Sequence, residues 1–194
     1  MILQDCVIKD GRIKMVDYLY EDLVARYSGN FIPVIIPQDT IKRIEWLAGE
    51  IIKRKKEEEH HIIDNEKEFK RFVTGLMGEV AVEILLGINI VDWSVGDSKD
   101  YDYPDIKGFN IGIKTAERNK FPIIFKKNYY SQIICVRSDK RDDAVFVCGL
   151  ATPEILNRYQ SESLVLSQGL RERGTKTGFY GFCKLKRIER IEDL

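Results

Sequence analysis

The stretch from Asn65 to Gly87 constrains the fold more than any other. Phe69, Phe72, Val73, Leu76, Val80 and Ile84 recur there at helical spacing. Asp64 or Asn65 can cap its start and Gly87 can end it. A helix with an apolar stripe must lie against something, and the residues that follow supply it. Apolar runs near 109–116, 121–125, 131–137 and 144–150 are short enough for strands and are separated by turn residues. In "TPEILNRY", Pro153 suits the first turn of another helix. "TGFYGFCKL" reads as an aromatic-rich closing strand. A long helix followed by strands with one helix among them predicts an α/β (α+β) chain with a mixed central sheet flanked by helices.

The N-terminal part reads as an appendage to this core. "ILQDCVIK" and "RIKMVDYLY" flank Asp10-Gly11, a two-residue hairpin signal. "FIPVII" is a short strand or an extended segment, with Pro33 favouring a sheet edge. After Pro37, Asp39 or Thr40 can cap a helix whose apolar positions are Ile41, Ile44, Leu47, Ala48, Ile51 and Ile52. That helix runs into "KRKKEEEHH", a solvated charge run. The expected organisation is residues 1–62 as hairpin and helix and 63–194 as core, together one compact domain.

Composition narrows the function classes. The chain is 44% hydrophobic and 32% charged, enough for a core and a polar surface. No apolar run nears the roughly 20 residues needed to span a bilayer, and the start does not read as a secretory signal. The four cysteines, Cys6, Cys135, Cys148 and Cys183, form no CxxC pair, so reduced cytoplasmic thiols are expected rather than a zinc site. His60 and His61 are adjacent, and neighbouring helical side chains diverge by about 100°. Lys+Arg and Asp+Glu both total 31, but the charges are unevenly spread. From Lys107 to Arg141 nine basic residues face two acids, a net of +7, and from Gly87 to Ile106 five acids face one Lys, a net of −4. An acidic loop leading into a basic segment suits a cation site beside a phosphate track; a chance run of solvated charge reads the same way.

Two acids on the long helix stand out. With Leu76 at zero on a helical wheel, Glu83 falls near −20° and Glu79 near −60°, within or at the edge of the apolar stripe. An ionised carboxylate buried there needs a cation, either a basic side chain or a metal. In "YPDIKGFNIGIKTAE", Lys114 sits in an apolar strand and shares a face with Gly112. A buried Lys needs an anion, and Asp105 would lie at the start of an adjoining strand or turn. A cation between Asp105 and a helix glutamate would satisfy the acids, and a phosphate beside Lys114 would satisfy the base.

Glu79 in "GLMGEVAVEILLG", Asp105 in "YPDI" and Lys114 in "IGIKT" together resemble the PD-(D/E)XK nuclease superfamily, over roughly residues 69–150. The resemblance implies a restriction-endonuclease-like fold and divalent-metal-dependent hydrolysis of phosphodiester bonds in nucleic acid, DNA first. Mg²⁺ or Mn²⁺ would be held by Glu79, Asp105 and the carbonyl of Ile113. Lys114 would align the attacking water, and Arg118, Lys120, Lys126 and Lys127 would carry neighbouring phosphates. Tyr129 and Tyr130 would stack on bases or pack, packing being the commoner fate. The departure is Gly112, which stands where the family carries an acid. Glu117 is the first candidate to replace it and Glu83 the second. A homodimer follows if both strands of a duplex are cut. The alternatives are a catalytically decayed nucleic-acid-binding relative, a protein-interaction domain with a buried ion network, and, least, another kind of metal hydrolase.

Overall fold

The computed structural model describes residues 28–57, 65–94, 105–106, 108–138 and 140–194. The hairpin around Asp10-Gly11, the pair His60 and His61, Asp64, most of the acidic loop (95–104) and Lys107 lie outside the described residues. The elements are β1 (Ile32–Ile35), α1 (Gln38–Glu57), α2 (Asn65–Leu86), β2 (Ile111–Ala116), β3 (Ile123–Phe125), β4 (Ser131–Arg137), β5 (Ala144–Ala151), α3 (Pro153–Arg158), β6 (Gln160–Ser161), α4 (Gln168–Arg173) and β7 (Lys176–Phe179). Among the described residues no helix is long and apolar enough to cross a membrane.

The architecture is mixed α/β. One sheet has the order β1-β5-β4-β2. Its β2–β4 pair is parallel and its other pairs are antiparallel. Pro33 does lie on an edge strand, opposite Phe146. The two other strands foreseen from sequence, β3 and β7, do not join this sheet; with β6 they form a second, antiparallel one in the order β3-β7-β6. The closing aromatic run is therefore strand only to Phe179, after which Phe182–Lys184 turn as a 3-10 helix. Gly181 makes that turn possible, because a Cβ there would stand 2.7 Å from Tyr159 Cβ.

The two faces of the first sheet build different cores. Ile111, Ile113, Ile133, Cys135, Val145 and Val147 pack with α1 and α2. Ile134, Val136, Cys148 and Ala151 point the other way, towards Phe121, Ile124, Leu156 and Phe179 of the second sheet and α3. Residues 32–57 share both the sheet and the larger core with the residues beyond 63.

Helix α1 starts two or three residues earlier than expected, since Ile41 N–H already donates to the Pro37 carbonyl. Asp39 then sits in the first turn, where it faces the positive end of the helix dipole. Helix α2 ends as expected, with Gly87 in the left-handed region at φ 66°. Its buried surface is wider than the stripe read from sequence. Thr74, Met77, Gly78, Ala81 and Val82 are buried as well, because α2 is sandwiched between α1 and the sheet. Conversely, Phe69 and Ile84, assigned to the stripe, are exposed.

Candidate active site at the β2 edge

The site begins with a turn. Gly108 and Asn110 both have positive φ, and they reverse the chain so that Ile106 bridges Ile111. This sets Asp105 against the free edge of β2. Its Oδ2 accepts a hydrogen bond from the Ile113 N–H. An edge strand leaves alternate backbone groups unpaired, and Asp105 satisfies one of them. The carbonyl of Ile113 lies on the same edge by strand parity.

Glu79 arrives from the opposite direction, and the residue before it explains how. A Cβ on Gly78 would fall 1.6 Å from Thr115 Oγ1, so only glycine lets α2 approach β2 this closely. The next side chain, Glu79, is thereby brought near Lys114 and Asp105. Burial pushes the Glu79 carboxyl from 4.5 up to about 7; the negative charges of Asp105 and, less strongly, Glu83 add to the rise, and Lys114 opposes it. Burial also raises Asp105, against the hydrogen bond from Ile113 N–H and the charge of Lys114. Two acids and one base thus share an electrostatic environment at the edge of β2.

The two carboxylates considered for the gap at Gly112 are engaged elsewhere. Glu83 accepts from the backbone N–H groups of Ile90 (2.9 Å) and Val91 (3.1 Å). It anchors the loop after α2, whose residues Ile88 to Asp92 wall a cleft of about 330 Å³ that Asp105 and Phe109 also line. Glu117 pairs with Lys70 of α2 at 3.1 Å and with Lys120. Burial alone would raise Glu117, but the hydrogen bonds from Lys120 and Lys70 outweigh it and hold the carboxyl below its usual value. Among the described residues, no three of His, Cys, Asp and Glu come close enough to hold a metal ion. Two carboxylates with a carbonyl edge fit a hard cation that keeps most of its water, such as Mg²⁺ or Mn²⁺.

Two of the basic residues are paired as well. Lys120 is bound to Glu117, and Lys126 to Glu162 at 2.6 Å. Arg118 and Lys127 are exposed. Tyr129 is 81% exposed, whereas Tyr130 packs its ring over Gly112, so packing is the fate of one tyrosine only.

Several site neighbours have no signal in the sequence. Lys176 of β7 lies with its ammonium 3.0 Å from the centroid of the Phe125 ring. Burial and the nearby charge of Lys114 lower its pKa to about 8. Gln132 and Asn128, both buried, continue through Asn157 as a chain of amides running from the sheet to α3. Lys176 reaches the β2 edge only because the second sheet folds against the first, and Gln132 only because β4 pairs with β2. No protein-family model, curated protein or solved structure matches the chain.

Proposed function

We propose that the chain is a divalent-metal-dependent phosphodiester hydrolase acting on nucleic acid, with a restriction-endonuclease-like arrangement of Glu79, Asp105 and Lys114. The observation that carries this reading is the convergence of two partly buried acids on one lysine at a sheet edge. The raised pKa values mean that these acids are uncomfortable when ionised and metal-free, which a cation would relieve. When bound, a divalent ion would lower the pKa of a coordinated water and offset charge on the phosphate. Asp105, held by the Ile113 N–H, and Glu79 would hold that ion, with the Ile113 carbonyl beside them. Lys114 would orient the water and stabilise the negative charge that develops on the phosphate oxygens. Exposed Lys127 and Arg118 would contact flanking phosphates, and Tyr129 offers an aromatic face to an unpaired base.

The experiment is incubation with supercoiled, linear and branched DNA and with RNA, with Mg²⁺, with Mn²⁺ and with chelator. Metal-dependent cleavage by the wild type that Asp105→Asn removes supports the reading. A second reading, a nucleic-acid binder of the same fold without chemistry, is favoured by Gly112 and by the engagement of Glu83 and Glu117. It predicts salt-dependent binding with no cleavage of any substrate.

A further inference from the structure

Gln132, on β4 beside this edge, is a polar side chain whose burial nothing yet accounts for. It is 1% exposed, and its Oε1 has no hydrogen-bond partner. A buried amide oxygen without a donor is costly, so such an atom calls for an explanation.

The orientation of its amide is set by a relay. The backbone N–H of Asn128 donates to Asn157 Oδ1 at 2.9 Å, and Asn157 Nδ2 donates to the Asn128 carbonyl at 3.0 Å, which fixes Asn157. Asn128 Nδ2 donates to the Phe125 carbonyl at 2.8 Å and to Asn157 Oδ1 at 3.2 Å. Asn128 Oδ1 is left as the acceptor, and Gln132 Nε2 donates to it at 3.3 Å. Reversing Gln132 would set two oxygens against each other. Its Oε1 is therefore the end turned away from Asn128.

The position of Gln132 is equally specific. It stands opposite Gly112 in the parallel β2–β4 register, on the face that carries Lys114. A Cβ at Gly112 would lie 3.7 Å from Gln132 Cγ, 3.5 Å from Asp105 Oδ2 and 3.0 Å from Tyr130 Cε2. The Gln132 side chain, at its Cγ, and the Asp105 carboxylate thus flank the place from which an acid at 112 would start, and the Tyr130 ring closes over it.

We propose that Gln132 Oε1 completes the cation site with Asp105 and Glu79, as a neutral oxygen in place of the acid missing at Gly112. The inference rests on the cation-site reading above. Glu83 and Glu117 are already engaged, and side-chain amide oxygens are hard donors of the type that such ions accept. A site with one negative charge fewer binds a divalent ion less tightly.

The test is calorimetric titration of MnCl2 into the full metal-stripped chain, with melting temperature as a second readout and Asp105→Asn as the control. Gln132→Met keeps an unbranched side chain and removes the oxygen; Mn²⁺ affinity should fall by about 10-fold or more. Gln132→Glu should raise affinity by about 10-fold, because it adds a formal charge to the ligand set. Metal-free Gln132→Glu should melt below wild type, with a carboxylate facing Asn128 Oδ1, and should gain more from Mn²⁺. Should Gln132→Met fail to fold, Gln132→Glu decides, and an affinity equal to wild type overturns the proposal. Wild-type affinity in both variants, with Asp105→Asn silent, overturns Gln132 as a ligand and leaves the Asp105–Glu79 site standing. No Mn²⁺ binding by wild type, even beside a phosphorothioate oligonucleotide, overturns both.

Discussion

Glu79 makes the metal-free protein sensitive to pH. Its folded carboxyl titrates near 7 against 4.5 for the ordinary group, so the folded state holds this proton more tightly than the unfolded chain. Its contribution to stability is complete below about pH 4.5, declines as pH rises, and is lost above about 7. The raised Asp105 acts with the same sign. Urea unfolding in chelator should show wild type less stable at pH 8 than at pH 5. Glu79→Gln, which carries no charge, should be more stable than wild type at pH 8 by on the order of 1–3 kcal/mol and should flatten the pH profile. A wild-type profile that rises from pH 5 to pH 8 by a similar amount would remove the electrostatic basis of the site. Lys114 belongs to the same scale. Lys114→Ala should lower metal-dependent cleavage by on the order of 100- to 1000-fold, while DNA affinity in filter binding stays within several-fold. The contrast arises because one phosphate contact among many matters little to binding, whereas a group aligned with the reacting atoms acts in the transition state.

The contact between α2 and β2 is what places the glutamate. Gly78→Ala would drive a methyl into Thr115, and the helix would have to lift. We expect a loss of about 1–3 kcal/mol in urea unfolding, the usual cost of overpacking, together with a weaker Mn²⁺-induced rise in melting temperature. Thr115→Ala alone should cost less than about 1 kcal/mol, because its buried Oγ1 has no partner to lose. Adding Thr115→Ala to Gly78→Ala should recover only part of the loss, since the Thr115 Cβ would still lie 2.8 Å from the new methyl. Full additivity of the two changes would show that the helix does not rest on this contact. The Thr of "IGIKT" thus has a packing role beneath α2, which its place beside a site lysine does not suggest.

The whole molecule carries no net charge, so any nucleic-acid affinity must come from local fields. The ion pairs decide which lysines contribute. Lys127→Ala should weaken DNA binding and reduce the slope of log affinity against log salt by about 1. Lys126→Ala should change the slope less, because Lys126 is already neutralised by Glu162 and would have to leave it to bind phosphate. Equal slopes in wild type and Lys127→Ala would move the binding face away from this edge.

Local patterns were enough to define the long helix to Gly87, four strands close to their observed limits, the edge position of Pro33, and the first turn at Pro153. Each depends on side-chain periodicity or on the backbone preferences of one or two residues, so the sequence alone determined them. The sequence also gave reason to look at Glu79, Asp105 and Lys114, because charged residues in apolar runs are costly wherever they fold. Only the tertiary structure decided that β3 and β7 leave the main sheet and that α2 is enclosed on nearly all sides between Phe72 and Glu83. The same holds for Glu83 and Glu117, each satisfied by partners that lie off the β2 edge, and for Gln132, whose oxygen is left unpaired beside Gly112. These outcomes depend on which surfaces meet, on close approaches such as Gly78 to Thr115, and on hydrogen bonds between residues far apart in the chain. Periodicity along one strand or helix carries no record of the element that will pack against it.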